Sequence, residues 1–241
     1  FRYPDADTEI LEDINFTAKP GETTAIIGST GSGKSTIVNL LPRFYDVTEG
    51  ELLIDGVNVK DYDIEALRNK VGIVMQKAVL FKGTIRENMW MGKKGATDEQ
   101  IDEALEISQS KEFVDSKQGR LDYVIEQGGK NLSGGQRQRL TIARAIVRKP
   151  DVLILDDSAS ALDFATDAAL RKAIRGMNNS PTVFIVSQRA ASLMYADLII
   201  VLDDGQVAGM GTHDELLANC EVYKEIYESQ FKKADSEGGV A

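Results

Sequence analysis

Gly28-Ser29-Thr30-Gly31-Ser32-Gly33-Lys34-Ser35 is the stretch on which the reading of this chain turns. It spaces a glycine, four residues and then Gly-Lys-Ser, with an apolar run of strand length before it (23–27) and a helical pattern after it (34–41). In that setting the glycines let backbone N–H groups turn inward around a chain of phosphates, and the helix aims its positive end at them. Lys34 supplies a cation for the outer phosphates and Ser35 a hydroxyl for magnesium. These eight residues, with Thr36, are the expected grip on ATP and Mg2+. An accidental glycine-rich turn would lack the strand and helix on either side.

Outward from the loop, short apolar runs alternate with helical patterns, the rhythm of a mainly parallel sheet covered by helices. Residues 71–75, 152–155, 182–186 and 198–202 read as further buried strands. Ile14, Phe16 and Ala18 alternate with polar residues, so a half-exposed antiparallel strand is expected there, ended by the Pro20-Gly21 turn. Between Lys77 and Lys149 the texture turns helical. Ile101, Ala104, Leu105 and Ser108 keep helical spacing, and an Arg- and Ala-rich helix over 134–148 stops at Pro150. The expected organisation is an α/β core over 1–76 and 149–235 with an N-terminal antiparallel part. A mainly helical lobe occupies 77–148 and a flexible tail 236–241. Helical spacing also runs from Asp214 to Phe231 and includes Cys220, which reads as a small packed residue.

Composition narrows the functional classes. In 241 residues, 42% are hydrophobic and 27% charged, as in an ordinary globular chain. With 28 basic against 38 acidic residues the net charge is −10, which disfavours nucleic acid and anionic lipid as partners. One cysteine excludes an internal disulfide and fits a reducing compartment. No apolar run approaches the roughly 20 residues of a membrane helix, so the chain reads as soluble. Phe1 opens inside an apolar-polar alternation, and the expectation is a fragment of a longer polypeptide.

Three further constellations accompany the loop. Val152-Leu153-Ile154-Leu155-Asp156-Asp157 is an apolar strand ending in two carboxylates, the first placed to reach magnesium directly or through water. Leu132-Ser133-Gly134-Gly135-Gln136 opens the Arg-rich helix with small residues, a second anion site unless Ser133 is merely a helix cap. Two such sites serve one phosphate group if two copies pack head to tail. Ser160-Ala161-Leu162-Asp163 then follows the acidic strand.

In this order, together with Gln76 in Val74-Met75-Gln76, these pieces resemble the nucleotide-binding domain of ATP-binding cassette (ABC) transporters, over nearly the whole chain. The resemblance implies a P-loop NTPase (RecA-like) α/β fold with an antiparallel β subdomain and an inserted helical lobe. It implies that Tyr3 stacks on adenine and that Gln76, with Ser35 and Asp156, meets magnesium and senses the membrane partner. Ser133, Gly134, Gly135 and Gln136 would act on the partner's ATP, and Asp163 would cross the dimer interface unless it only caps a helix. Leu80-Phe81-Lys82-Gly83-Thr84-Ile85-Arg86-Glu87-Asn88 and Ile125-Glu126-Gln127-Gly128-Gly129 resemble exporter segments, with Ile125 where a glycine is usual. The implied partners are a second nucleotide-binding domain and transmembrane domains N-terminal to Phe1. The implied place is the cytoplasmic face of the cell membrane.

Two positions depart from the family pattern. Asp157 stands where a Glu polarises the attacking water, and Gln188 stands where a His is usual. The single histidine, His213, lies at a helix start, where a surface or capping role is expected. Asp and Glu have similar unperturbed pKa values, about 3.9 and 4.3, so reach rather than basicity is what Asp157 loses. Gln188 can donate a hydrogen bond but cannot take up a proton. Both losses fall on hydrolysis, none on binding. The sequence thus points to the degenerate half of a heterodimeric exporter, with slow hydrolysis at its own site. The competing readings are a regulatory nucleotide-binding module without catalysis and a competent homodimeric exporter domain. A DNA-associated cassette ATPase ranks behind these, since it calls for a coiled-coil insertion and basic surface.

Overall fold

Thr23–Gly28 is buried at all six positions, which requires a strand with neighbours on both edges and cover on both faces. The computed structural model, which describes residues 1–158 and 161–237, supplies the neighbours. Its strands are β1 (Thr23–Gly28), β2 (Leu53–Ile54), β3 (Val57–Asn58), β4 (Val71–Val74), β5 (Gly83–Thr84), β6 (Val124–Ile125), β7 (Val152–Asp156), β8 (Thr182–Val186), β9 (Leu198–Asp203) and β10 (Gln206–Gly211). Its α-helices are α1 (Lys34–Leu40), α2 (Ile64–Lys70), α3 (Ile85–Trp90), α4 (Asp98–Ile107), α5 (Lys111–Asp115), α6 (Gly134–Ile146), α7 (Phe164–Arg175), α8 (His213–Asn219) and α9 (Glu221–Glu237). They form two compact units, residues 1–68 with the chain from Thr182 onward, and residues 69–181.

In the first unit β1 runs parallel to β8 on one side and β9 on the other, and β10 continues antiparallel outside β9. Ala25 sits opposite Ile185 and Ile199, and Ile26 opposite Val186 and Ile200, so the centre of the ladder is apolar on three strands. β10 alternates exposed and half-buried residues, as an edge strand with one covered face does. A bulge between Val207 and Gly209 admits Cys220: a Cβ at Gly209 would lie 2.9 Å from its Sγ. Cys220 is buried, the small packed residue anticipated, but it separates α8 from α9 in an extended conformation (φ −122°, ψ 105°). The helical spacing over 214–231 therefore belongs to two helices. Asp55 and Gly56, at φ 53° and 76°, close the two-residue hairpin of β2 and β3.

Residues 14–18 form no ladder, contrary to the strand expected there. Ile14, Phe16 and Ala18 are half-buried and their neighbours exposed, and Phe16 meets the ring of Phe184 at 6.4 Å. The alternation records one covered face, but a strand also needs a partner edge.

In the second unit β4 pairs in parallel with β7, Val71 opposite Val152 through Val74 opposite Leu155. A Cβ at Gly72 would lie 2.9 Å from Pro150 and 3.1 Å from the Ala145 carbonyl, so the end of α6 approaches β4 closely. Helices α3 to α7 surround this pair in sequence, with Leu140, Ala143 and Ile146 of α6 and Ile101 and Leu105 of α4 buried. Among the described residues no helix is long and apolar enough to cross a membrane. The tail expectation falls mostly outside the described residues: Ser236 and Glu237 end α9, and 238–241 are not described.

Candidate functional site

The loop after β1 has the backbone its glycines foretell. At Gly28 a Cβ would meet the Leu202 carbonyl oxygen at 2.2 Å, so only glycine fits where the strand ends. Gly31 and Gly33 are left-handed (φ 87° and 97°), and a Cβ at Gly33 would strike Leu11 at 2.5 Å. Ser29, Thr30, Gly31 and Ser35 are exposed, while Ser32, Gly33 and Lys34 are buried beneath them. Lys34 Nζ donates to the carbonyls of Gly28 (2.9 Å) and Ser29 (2.5 Å) and to Ser32 Oγ (3.4 Å). Lys34 is thus only 7% exposed, its ammonium solvated by the loop's own oxygens. Helix α1 has no side-chain cap and no acid in its first turn, whereas α3, α4, α6 and α8 are each closed by a capping box. That contrast suits a helix start that receives an anion.

Tyr3 joins this site through its hydroxyl, 2.9 Å from Thr36 Oγ1. Its ring packs edge-on against Phe1 (5.0 Å) and Tyr45 (4.9 Å). Tyr45 escaped the sequence reading; the only signal was an aromatic pair, Phe44-Tyr45, just beyond α1.

Gln188 is exposed, in a turn after β8 whose backbone α9 holds: Gln230 Nε2 donates to the Gln188 carbonyl (2.6 Å) and Gln230 Oε1 accepts from the Ala190 N–H (2.9 Å). Nothing in the spacing of residues 40 apart signals such a contact. His213 does not cap. Thr212 caps α8, and His213 Nδ1 pairs with the buried Tyr223 hydroxyl at 2.8 Å.

The second unit carries the acids. Asp156 ends β7 and is 6% exposed; Asp157, next, turns left-handed (φ 44°), a region Asp tolerates better than most residues. Gln76 Nε2 donates to Asp157 Oδ2 at 3.2 Å, so the structure joins the residue expected at magnesium with the shortened carboxylate. Among the described residues no three His, Cys, Asp or Glu side chains cluster as metal ligands. Ser35 in the first unit, and Gln76 and Asp156 in the second, each carry an oxygen donor of the kind magnesium takes beside phosphate oxygens and water.

Ser133 caps α6 by accepting from the Gln136 N–H (3.2 Å), and Gln136 Oε1 accepts from the Ser133 N–H (3.1 Å). The cap explains both side chains. It leaves the glycines: among the described residues a Cβ at Gly134 would meet nothing within 4 Å, and one at Gly135 only the Ala161 carbonyl at 3.3 Å. Asp163 caps α7, accepting from Thr166 N–H (2.9 Å) and bonding Thr166 Oγ1 (2.8 Å). The backbone N–H of Thr166 holds its carboxyl below the usual range. Ser160, which opens the motif ending at Asp163, lies outside the described residues. The two segments read as exporter-like meet in a ladder, Gly83 opposite Ile125 and Thr84 opposite Val124.

Comparison with known proteins gives the same reading. The family model for ABC transporters matches residues 11–160. An uncharacterized ABC transporter ATP-binding protein of Mycobacterium bovis is 46% identical over all of this chain, which covers 41% of that protein. A putative multidrug export ATP-binding/permease protein of Staphylococcus aureus is 41% identical over 95% of the chain, covering 40% of the relative. A solved structure of a bacterial Atm1-family ABC exporter with ATP bound superposes with a TM-score of 0.90 at 36% identity, over 95% of this chain and 40% of the other. The chain spans about two fifths of the length of these relatives. A glycine loop closed around Lys34, a glycine-opened α6 and homology along its length agree: the chain belongs to the ABC transporter family, of which it is an ATP-binding domain.

Proposed function

We propose that this domain powers an exporter by binding Mg-ATP and closing head to tail on a second nucleotide-binding domain, while cutting its own ATP slowly. The observation that carries the reading is the contrast between an intact cradle around Lys34 and the altered pair Asp157 and Gln188. The loop 28–35 binds the phosphates, with Thr36 beside it and Tyr3 at the adenine. Ser35, Gln76 and Asp156 would hold the magnesium ion, which when bound neutralises charge on the outer phosphates. Residues 77–148 act as the signature subdomain. There Ser133, Gly134, Gly135 and Gln136 complete the partner's site, and Asp163 reaches across the interface. The open space above Gly134 supports this, because among the described residues nothing uses the absence of a side chain there.

Hydrolysis needs a carboxylate that orients water and a switch residue that handles charge. Asp157 is one methylene short of Glu, and a misplacement of about 1 Å costs roughly a hundredfold in rate. Gln188 offers an amide donor to the terminal phosphate and no proton exchange. A partner chain with Glu and His at these positions would own the working site. The transmembrane partner fits the exposed apolar residues of the second unit, Met75, Val79, Phe81, Met91 and Val124. With such a partner the domain would sit at the cytoplasmic face of the membrane.

The test is steady-state ATPase of the full-length protein against its Asp157→Glu, Gln188→His double variant. A rise of about a hundredfold is expected. Brisk native turnover, unchanged by the double substitution, would instead establish a competent homodimer. Retention of ATP without cleavage, even with the partner chain present, would establish a regulatory module.

A further inference from the structure

We propose that Gln230, on the C-terminal helix α9, is a positioning residue for the turn that presents Gln188. The proposal rests on the reading above, in which Gln188 faces the terminal phosphate. A primary amide sets a donor and an acceptor on a single carbon. Gln230 uses both on main-chain groups two residues apart, the Gln188 carbonyl and the Ala190 N–H. Gln230 therefore fixes the backbone from the Gln188 carbonyl to the Ala190 N–H, while Gln188 itself is exposed.

The rest of the turn is tied down as well. Ser187 is buried, its Oγ accepts from the Arg189 N–H (3.0 Å), and its N–H donates to the Ile26 carbonyl of β1 (3.4 Å). Ala190 is fully buried. The segment that follows Ser187 is the part Gln230 holds. The helix itself is registered by Tyr223, seven residues before Gln230 and so two turns away on the same face. Tyr223 is fully buried, with its hydroxyl on His213. Displacing α9 would thus release the switch turn without touching the phosphate loop, which couples the end of the chain to cleavage rather than to binding.

Gln230→Met keeps the length and apolar contact of the side chain and removes both hydrogen bonds. In the full-length protein, amide exchange over residues 187–192 should quicken about tenfold with exchange over 222–227 unchanged. The Kd for ATP should stay within about twofold, and single-turnover cleavage should fall about tenfold. Unchanged exchange in the turn would overturn the proposal, as would faster exchange with undiminished cleavage, or a loss of affinity as large as the loss of rate. Lys34→Ala, run alongside, tells the two failures apart. If it binds ATP as the native chain does, the nucleotide reading fails. If it loses ATP while Gln230→Met is silent in cleavage, only the role of Gln230 fails.

Discussion

Asp157 and Gln188 are single side chains, yet each carries a separate part of the proposed slowness, and they can be told apart. Asp157 sits at φ 44° with its carboxylate engaged by Gln76 at 3.2 Å. Asp157→Glu restores reach without altering charge, so it should raise the single-turnover rate by about tenfold to a hundredfold with no new pH dependence. Gln188→His adds a group that titrates near pH 6.5, so cleavage should gain a pH-rate inflection in that region that the native chain lacks. Rapid-quench measurements between pH 5.5 and 8.5 check both. A flat profile in Gln188→His would mean that the position does not meet the reacting phosphate.

At the scale of elements, the start of α6 separates folding from function. Ser133→Ala removes one half of the capping box and should lower stability by about 1 kcal/mol, read by urea unfolding. Gly134→Ala enters open space in a first helical turn, so stability should hold or rise slightly. ATPase of the assembled pair should nonetheless drop, because the added methyl faces outward toward the proposed partner. Helices α8 and α9 allow a pH prediction. Burial, reinforced by the nearby Tyr227, pushes the Tyr223 hydroxyl up to about 12, above the usual value near 10. The fold favours the neutral phenol, so this stabilisation is complete below pH 10 and is lost as pH rises toward 12. Unfolding midpoints between pH 9 and 11.5 should fall more steeply in the native chain than in Tyr223→Phe.

For the whole molecule, ligand linkage is the direct measure. ATP that binds only the folded state adds about 2.7 kcal/mol at a hundred times its Kd. In a domain of this size that raises the melting temperature by roughly 5–10 °C. Lys34→Ala should abolish the shift, since its ammonium, held by Gly28, Ser29 and Ser32, sits in the floor of the phosphate loop. What could be read from the sequence followed the range of the forces involved. β1, β4, β7, β8 and β9 were legible because a buried parallel strand is a continuous apolar run, and α1 and α6 because loop and period agree locally. Residues 14–18 misled because alternation reports a covered face and not a hydrogen-bonded neighbour. The break at Cys220 was hidden because both flanking helices keep apolar spacing in phase.

By itself, then, the sequence determined the phosphate loop, the order of the motifs and the two altered residues, all of which reside in chemical identity or in neighbours a few positions away. Tertiary structure alone decided that Gln76 meets Asp157 across 81 residues, that Gln230 grips the turn at Gln188 across 42, and that β5 finds β6. Such contacts are chosen by how the packed elements close on one another. A polar side chain carries no periodic trace of its distant partner, so only the folded chain reveals the pairing.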